Sequence, residues 1–220
     1  MEGAVVHREV RLKTAGVVLD GLLALPHQCR ALVLFAHGSG SSRFSPRNRL
    51  VAERLNAAGI GTLLFDLLTA DESRIDDVTR EFRFNIPLLA RRLLGAIDWA
   101  GGEVDTQALY LGLFGSSTGA AAALLAAAER PRRVAALVSR GGRPDLAGPA
   151  LSKVRAPTLL IVGGEDRQVL TLNREAAQQM TGAVRLETIP GASHLFEEPG
   201  TLDMVIRLVS DWFAQHLQQH

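Results

Sequence analysis

Short apolar runs recur along the chain at residues 32–36, 62–65, 109–114, 134–138, 158–162 and 184–189. They lack the polar alternation of a strand with one wet face, so they read as strands covered on both faces, the habit of a parallel sheet. Parallel neighbours need long crossover connections. Helical stretches at 47–58, 87–99, 118–128, 171–180 and 202–216 lie between or after most of the runs. Leu88, Leu89, Arg92, Leu93, Ala96 and Ile97 show the stripe of a helix laid on a sheet. Ahead of this series, 5–12 and 17–25 read as an antiparallel hairpin turning at Thr14, Ala15 and Gly16. The expected fold class is α/β, a doubly wound, mostly parallel sheet of about eight strands with right-handed crossovers.

At 220 residues the chain is expected to form a single domain over 1–220. A hydrophobic share of 47% against 21% charged residues excludes a disordered chain. Twenty-four basic and 23 acidic side chains leave a net charge of +1, which gives no field for nucleic acid or an anionic membrane. Cys29 is the single cysteine, so no intramolecular disulfide is possible, and no Cys or His cluster has zinc spacing. Glu2, Arg8, Glu9, Arg11 and Lys13 interrupt any N-terminal apolar run. The longest uncharged apolar stretch, 119–128, is about half the ~20 residues a bilayer crossing needs. These features lead us to expect a soluble cytoplasmic protein, without metal, nucleic acid or membrane.

Ligands of doubly wound folds bind beyond the carboxyl ends of the strands, so the chemistry should follow the apolar runs. After 109–114 comes Gly115-Ser116-Ser117-Thr118-Gly119, a G-x-S-x-G between a strand and an Ala-rich helix. A nucleophile on so tight a turn sits in a strained conformation, and flanking glycines let the backbone pass. Only Ser117 has glycine at both required offsets. Its hydroxyl needs a base, and the base needs a third group to orient it. Past 158–162 stand Glu165 and Asp166, and past 184–189 stands His194, in the order acid then histidine. Ser117, Asp166 and His194 are the expected triad, with Glu165 competing for the acid role.

Two backbone N–H groups should hold the oxyanion. Thr118 follows the nucleophile at a helix start, and Ser39 lies in the His37-Gly38-Ser39-Gly40 loop after 32–36. His37 reads as a hydrogen-bonding bracket of that loop. A dinucleotide reading fails because position 43 is Arg, and no Gly-Lys-Ser/Thr occurs for a phosphate loop.

G-S-S-T-G, G-G-E-D and P-G-A-S-H in this order resemble the α/β-hydrolase superfamily, and the fold expected is its fold. Within it the chain resembles the dienelactone hydrolase family, in a branch also found fused to phosphoribosyltransferase domains. The carrying segments are Ala36 to Arg43, Ser45 to Asn48, Asp66 to Thr69, Ser139 to Gly148, and His194 to Gly200. Ser117 stands where dienelactone hydrolases proper have cysteine. The resemblance implies cleavage of a carbon–oxygen ester.

The interval 139–156 is too short for a cap domain, and the charged connection 66–83 should form one wall of an open site. Arg140 and Arg143 follow a strand end beside the elbow, where either one can hold a substrate carboxylate or pair with Asp145 or Asp166. The leading expectation is a serine hydrolase of small carboxylic esters or lactones that works through an acyl-enzyme, with no cofactor. Amide or thioester cleavage and acyl transfer use the same triad and stay open, as does a non-catalytic scaffold that serves as a binding module. The stripe of Met204, Val205, Leu208, Val209, Trp212 and Phe213 either covers the sheet or supports a dimer, so monomer and homodimer both stay open.

Overall fold

The structure is a computed structural model that describes residues 4–14 and 16–217. Its strands are β1 (Val5–Thr14), β2 (Val17–Pro26), β3 (Ala31–Ala36), β4 (Gly61–Phe65), β5 (Tyr110–Ser116), β6 (Val134–Arg140), β7 (Thr158–Gly163) and β8 (Val184–Ile189). They form one eight-stranded sheet in the order β1-β2-β4-β3-β5-β6-β7-β8. β1 and β2 pair antiparallel, as do β2 and β4, and every later pairing is parallel. Ala15 of the hairpin turn lies outside the described residues. This is the α/β-hydrolase fold, and no cap domain is present among the described residues.

The pleat sends alternate side chains into two cores. On β3, Leu32, Leu34 and Ala36 enter one of them, while Ala31, Val33 and Phe35 enter the other. The first core lies under α3 (Ile86–Gly102), α4 (Thr118–Glu129) and α5 (Arg167–Gln179). The second lies under α1 (Pro46–Ala57) and α6 (Thr201–His216). Of the stripe read from the sequence, Val205, Val209, Trp212 and Phe213 are buried in that second core with Ile206, and Leu208 packs against it, while Met204 is exposed, so most of the stripe covers the chain's own sheet. α4 carries six fully buried alanines, Ala120 to Ala123 with Ala126 and Ala127, and that slimness lets it lie close to the sheet.

Strand register then assembles the site. Ala36 pairs with Gly115, so the loop after β3 emerges beside the loop after β5. Gly163 pairs with Ile189, which brings the segments after β7 and β8 together.

The connection 66–83, expected as a loop, holds the helix α2 (Ala70–Thr79). Its Ile75 and Val78 face solvent and its one buried residue is Asp76, so no apolar stripe advertised it. A capping box starts it instead. The Thr69 hydroxyl accepts the Glu72 N–H at 3.2 Å, and Glu72 accepts the Thr69 N–H at 2.8 Å. α5 begins at Arg167, four residues before the expected start, with Asp166 at its N-cap position. Two short tight-helical turns joined at Gly148 fill Pro144–Lys153.

Candidate active site

Ser117 stands at φ 51°, ψ −122°, a left-handed backbone that L-residues adopt at a cost. The flanking glycines are demanded by contact. A Cβ on Gly119 would lie 2.2 Å from the Ala36 carbonyl oxygen, and one on Gly115 would lie 2.4 Å from the Ala120 Cα. No larger residue fits between β3, β5 and α4. The Ser117 side chain makes no capping bond to α4, which leaves its Oγ unengaged there.

Asp166 and His194 meet directly, with Oδ2 and Nδ1 2.6 Å apart. His194 Nδ1 therefore donates to a carboxylate, which orients the ring and leaves Nε2 as the basic nitrogen. Glu165 is exposed and its N–H goes to the Ala192 carbonyl, so Asp166 is the acid that contacts His194. The chain between Arg140 and Arg143 bridges the elbow and the histidine. The Ser117 N–H donates to the Arg140 carbonyl, the Arg143 N–H donates to the Ser117 carbonyl, and a Cβ on Gly141 would lie 3.5 Å from His194 Cε1.

Thr118 opens α4, where first-turn amides lack an intrahelical acceptor. Ser39 lies on the loop after β3, one residue beyond Gly38, whose Cβ position is 3.1 Å from the Ser117 Cβ. That loop is pinned from two sides. The Leu67 N–H donates to His37 Nε2 at 3.0 Å, so Nδ1 carries the proton and bonds the Gly38 carbonyl at 2.9 Å. Burial lowers the His37 pKa against the opposing pull of that carbonyl and of Asp66, which keeps the ring a neutral bracket. Asp66 in turn accepts both the backbone N–H and the guanidinium of Arg43.

A cavity of about 410 Å³ opens beside this loop, lined among others by Ser39, Gly40, Phe44, Leu68 and Ser73. Its far wall is the α2 region. The Arg83 Nε donates to Asp76 Oδ2 at 2.7 Å there, and Asp76 also accepts the N–H groups of Phe82 and Arg83.

Of the two expected arginines, Arg143 forms a two-bond pair with Asp145, at 2.9 and 2.7 Å. Arg140 shares the α1/α6 face of the sheet with Phe114 and Val138, its guanidinium 5.8 Å from the Phe114 ring centre, and does not line the cavity beside Ser39. Burial first, and then the like charge of Arg47, push its pKa down to about 10.

Sequence reasoning missed two supports. The fully buried Asn173 of α5 donates to the Gly142 carbonyl at 3.0 Å, which holds the bridge between elbow and histidine. Glu198 accepts the Ser193 N–H at 3.1 Å, and its bonds with Ser193 hold its carboxyl below the usual range. Neither has a local signal, because each partner arrives from elsewhere in the chain or from a loop without periodicity. Among the described residues no three His, Cys, Asp or Glu side chains are grouped to hold a metal, and no helix is long and apolar enough to cross a membrane.

The site thus holds a strained serine at the turn after β5 and an Asp–His pair beyond the ends of β7 and β8. The model of the family described as alpha/beta hydrolase domain matches residues 29–215. A crystal structure of dienelactone hydrolase from Anabaena variabilis is 56% identical, with a TM-score of 0.96 over 97% of this chain and 99% of that one. The chain belongs to the α/β-hydrolase family and, within it, to the dienelactone hydrolase-like group. Mycobacterium tuberculosis proteins with the provisional name phosphoribosyl transferase are 54% identical over 209 residues, 95% of this chain and 46% of theirs. The chain thus spans about half the length of those relatives. Est1E from Butyrivibrio proteoclasticus, 18% identical with a TM-score of 0.79 over 96% of this chain and 99% of its own, shares the fold.

Proposed function

We propose that this chain is a serine hydrolase of small carboxylic esters. Ser117 Oγ attacks the ester carbonyl while His194 Nε2 takes its proton, and Asp166 holds His194 Nδ1–H and stabilises the imidazolium. The Ser39 and Thr118 N–H groups receive the oxyanion. His194 then returns the proton to the departing alcohol, and water, activated by the same nitrogen, releases the acid from Ser117.

The observation that carries this reading is the 2.6 Å Asp166–His194 contact, lying across the 140–143 bridge from a serine held at φ 51°. The open rim and the cavity of about 410 Å³ favour a small acyl or alcohol group. The transferase name belongs to relatives about twice as long, whereas the dienelactone hydrolase of Anabaena variabilis is matched over 99% of its length, so hydrolysis is the chemistry assigned here.

Turnover of 4-nitrophenyl esters with two- to eight-carbon acyl chains tests the assignment. The wild-type chain should cleave the shorter esters with a burst, and Ser117→Ala should lose on the order of 10⁴-fold or more in kcat. Activity that survives in Ser117→Ala, or a wild type inert on every ester, would remove the assignment.

A further inference from the structure

Ser39, Ser41, Ser42 and Ser45, from the segment after β3, line the cavity of about 410 Å³, and so does Ser73 of α2. The Ser42 Oγ accepts the Phe44 N–H and the Ser45 Oγ accepts the Asn48 N–H, so each keeps an O–H to donate. The hydroxyls of Ser39, Ser41 and Ser73 make no hydrogen bond among the described residues and can both donate and accept. Leu68 and Leu89 add apolar surface to the same lining.

The charge of this lining is acidic. Ser73, Asp76 and Asp77 stand at i, i+3 and i+4 of α2, on one face, and all three line the cavity. Arg83 is the one cation in the lining among the described residues. Its Nε donates to Asp76 Oδ2 at 2.7 Å, its Nη2 to the Asp76 carbonyl at 3.0 Å, and Nη2 lies 3.8 Å from Asp77 Oδ1. Asp76 therefore matches the charge of Arg83, and Asp77 is in surplus. The Arg83 Nη1 lies 3.3 Å from where a Cβ on Gly40 would be, and its N–H groups are open to a neutral acceptor. Arg140 and Arg143 do not line the cavity, and Arg43, Arg47 and Arg143 bond Asp66, Glu197 and Asp145. The start of α1 also touches the cavity, but Pro46 has no N–H and the Asn48 N–H is held by Ser45.

On the esterase reading above, we infer that the part of the ester this cavity receives is a neutral polyol, such as a glyceryl or sugar group, and not an anion. Hydroxyl groups match serines that donate and accept in turn, and the leucines take the C–H face. A carboxylate only accepts, and it would meet Asp77 with no free counter-charge. An ammonium group only donates, and it would leave the serine O–H groups without acceptors.

Hydrolysis of matched esters by the whole chain, followed by acid release, tests this. One series keeps the acetyl group and varies the alcohol: glyceryl monoacetate, O-acetylglycolate and acetylcholine. The other keeps methanol and varies the acid, methyl glycerate against monomethyl malonate, so that either half of the ester can enter the cavity. With each kcat/KM divided by the ester's own hydroxide rate constant, the polyol ester should lead at least one series by about tenfold or more. Asp77→Lys alters a side chain 77% exposed, so it should fold, and it should raise anionic turnover about tenfold at low ionic strength. Ser73→Ala should raise KM for the leading polyol ester about fivefold more than for ethyl acetate. An anionic ester or acetylcholine in the lead, no lead in either series, or anionic turnover unmoved by Asp77→Lys would overturn the inference and leave the esterase standing. A chain inert on every ester would remove both.

Discussion

Ser117 keeps its strained backbone because Gly115 and Gly119 give β3 and α4 no side chain to meet. The order of the proposed triad could be read from the residues, because each member follows an apolar run. The sequence favoured Asp166 without excluding Glu165, since adjacent side chains on a turn diverge by an angle that only the fold sets. With Asp166 bonded to His194 Nδ1, Asp166→Asn should keep the fold and cost about 10³–10⁴-fold in kcat, because the amide offers His194 the wrong tautomer. Ester turnover beside a thermal melt checks this. A loss of less than tenfold would mean that Asp166 does not orient the base.

α2 shows how an element can escape periodicity. Thr69 and Glu72 carry the Ser/Thr-x-x-Glu spacing of a capping box, a local signal that marks a helix start before any stripe is sought. What keeps α2 on the body is long-range. Arg92 of α3, with its side chain 5% exposed, donates to Glu72 at 2.6 Å. Glu72→Ala removes the carboxylate half of the capping box and strands a buried guanidinium, so it should destabilise the chain by about 3 kcal/mol. The double change Glu72→Ala with Arg92→Met should recover most of that loss, and urea unfolding of the two variants decides it. Equal stability of both would show that the pair is solvated. Because the helix walls the cavity beside Ser39, the single variant should also raise KM.

Across the whole molecule, the buried His37 and the partly buried His216 set how stability follows pH. Burial lowers the pKa of His37 and of His216 below the ordinary 6.5. Between each folded value and 6.5 the unfolded chain holds more protons, so stability is full above about 6.5 and falls as pH drops through that window. The carboxyl groups held low, Asp76 and Glu198, act only at more acidic pH. The urea midpoint should therefore fall between pH 7.5 and 5.5, and His37→Gln should flatten the slope. An unchanged slope in that variant would mean that His37 is solvated in the folded chain.

The alternation of apolar runs with helical stretches was enough to determine a doubly wound sheet, and the elbow pentapeptide enough to mark the serine proposed as its nucleophile. Both are local patterns, written in consecutive residues by strand and helix periods and by turn sterics. Tertiary structure alone set the 2.6 Å contact of Asp166 with His194, the turn of Arg143 to Asp145, and the place of Arg140 on the α1/α6 face beside Phe114. Those outcomes depend on which side of the sheet a strand end presents and on how helices distant in sequence close over it. Burial and charge balance are properties of that closure, so no stretch of residues carries them by itself.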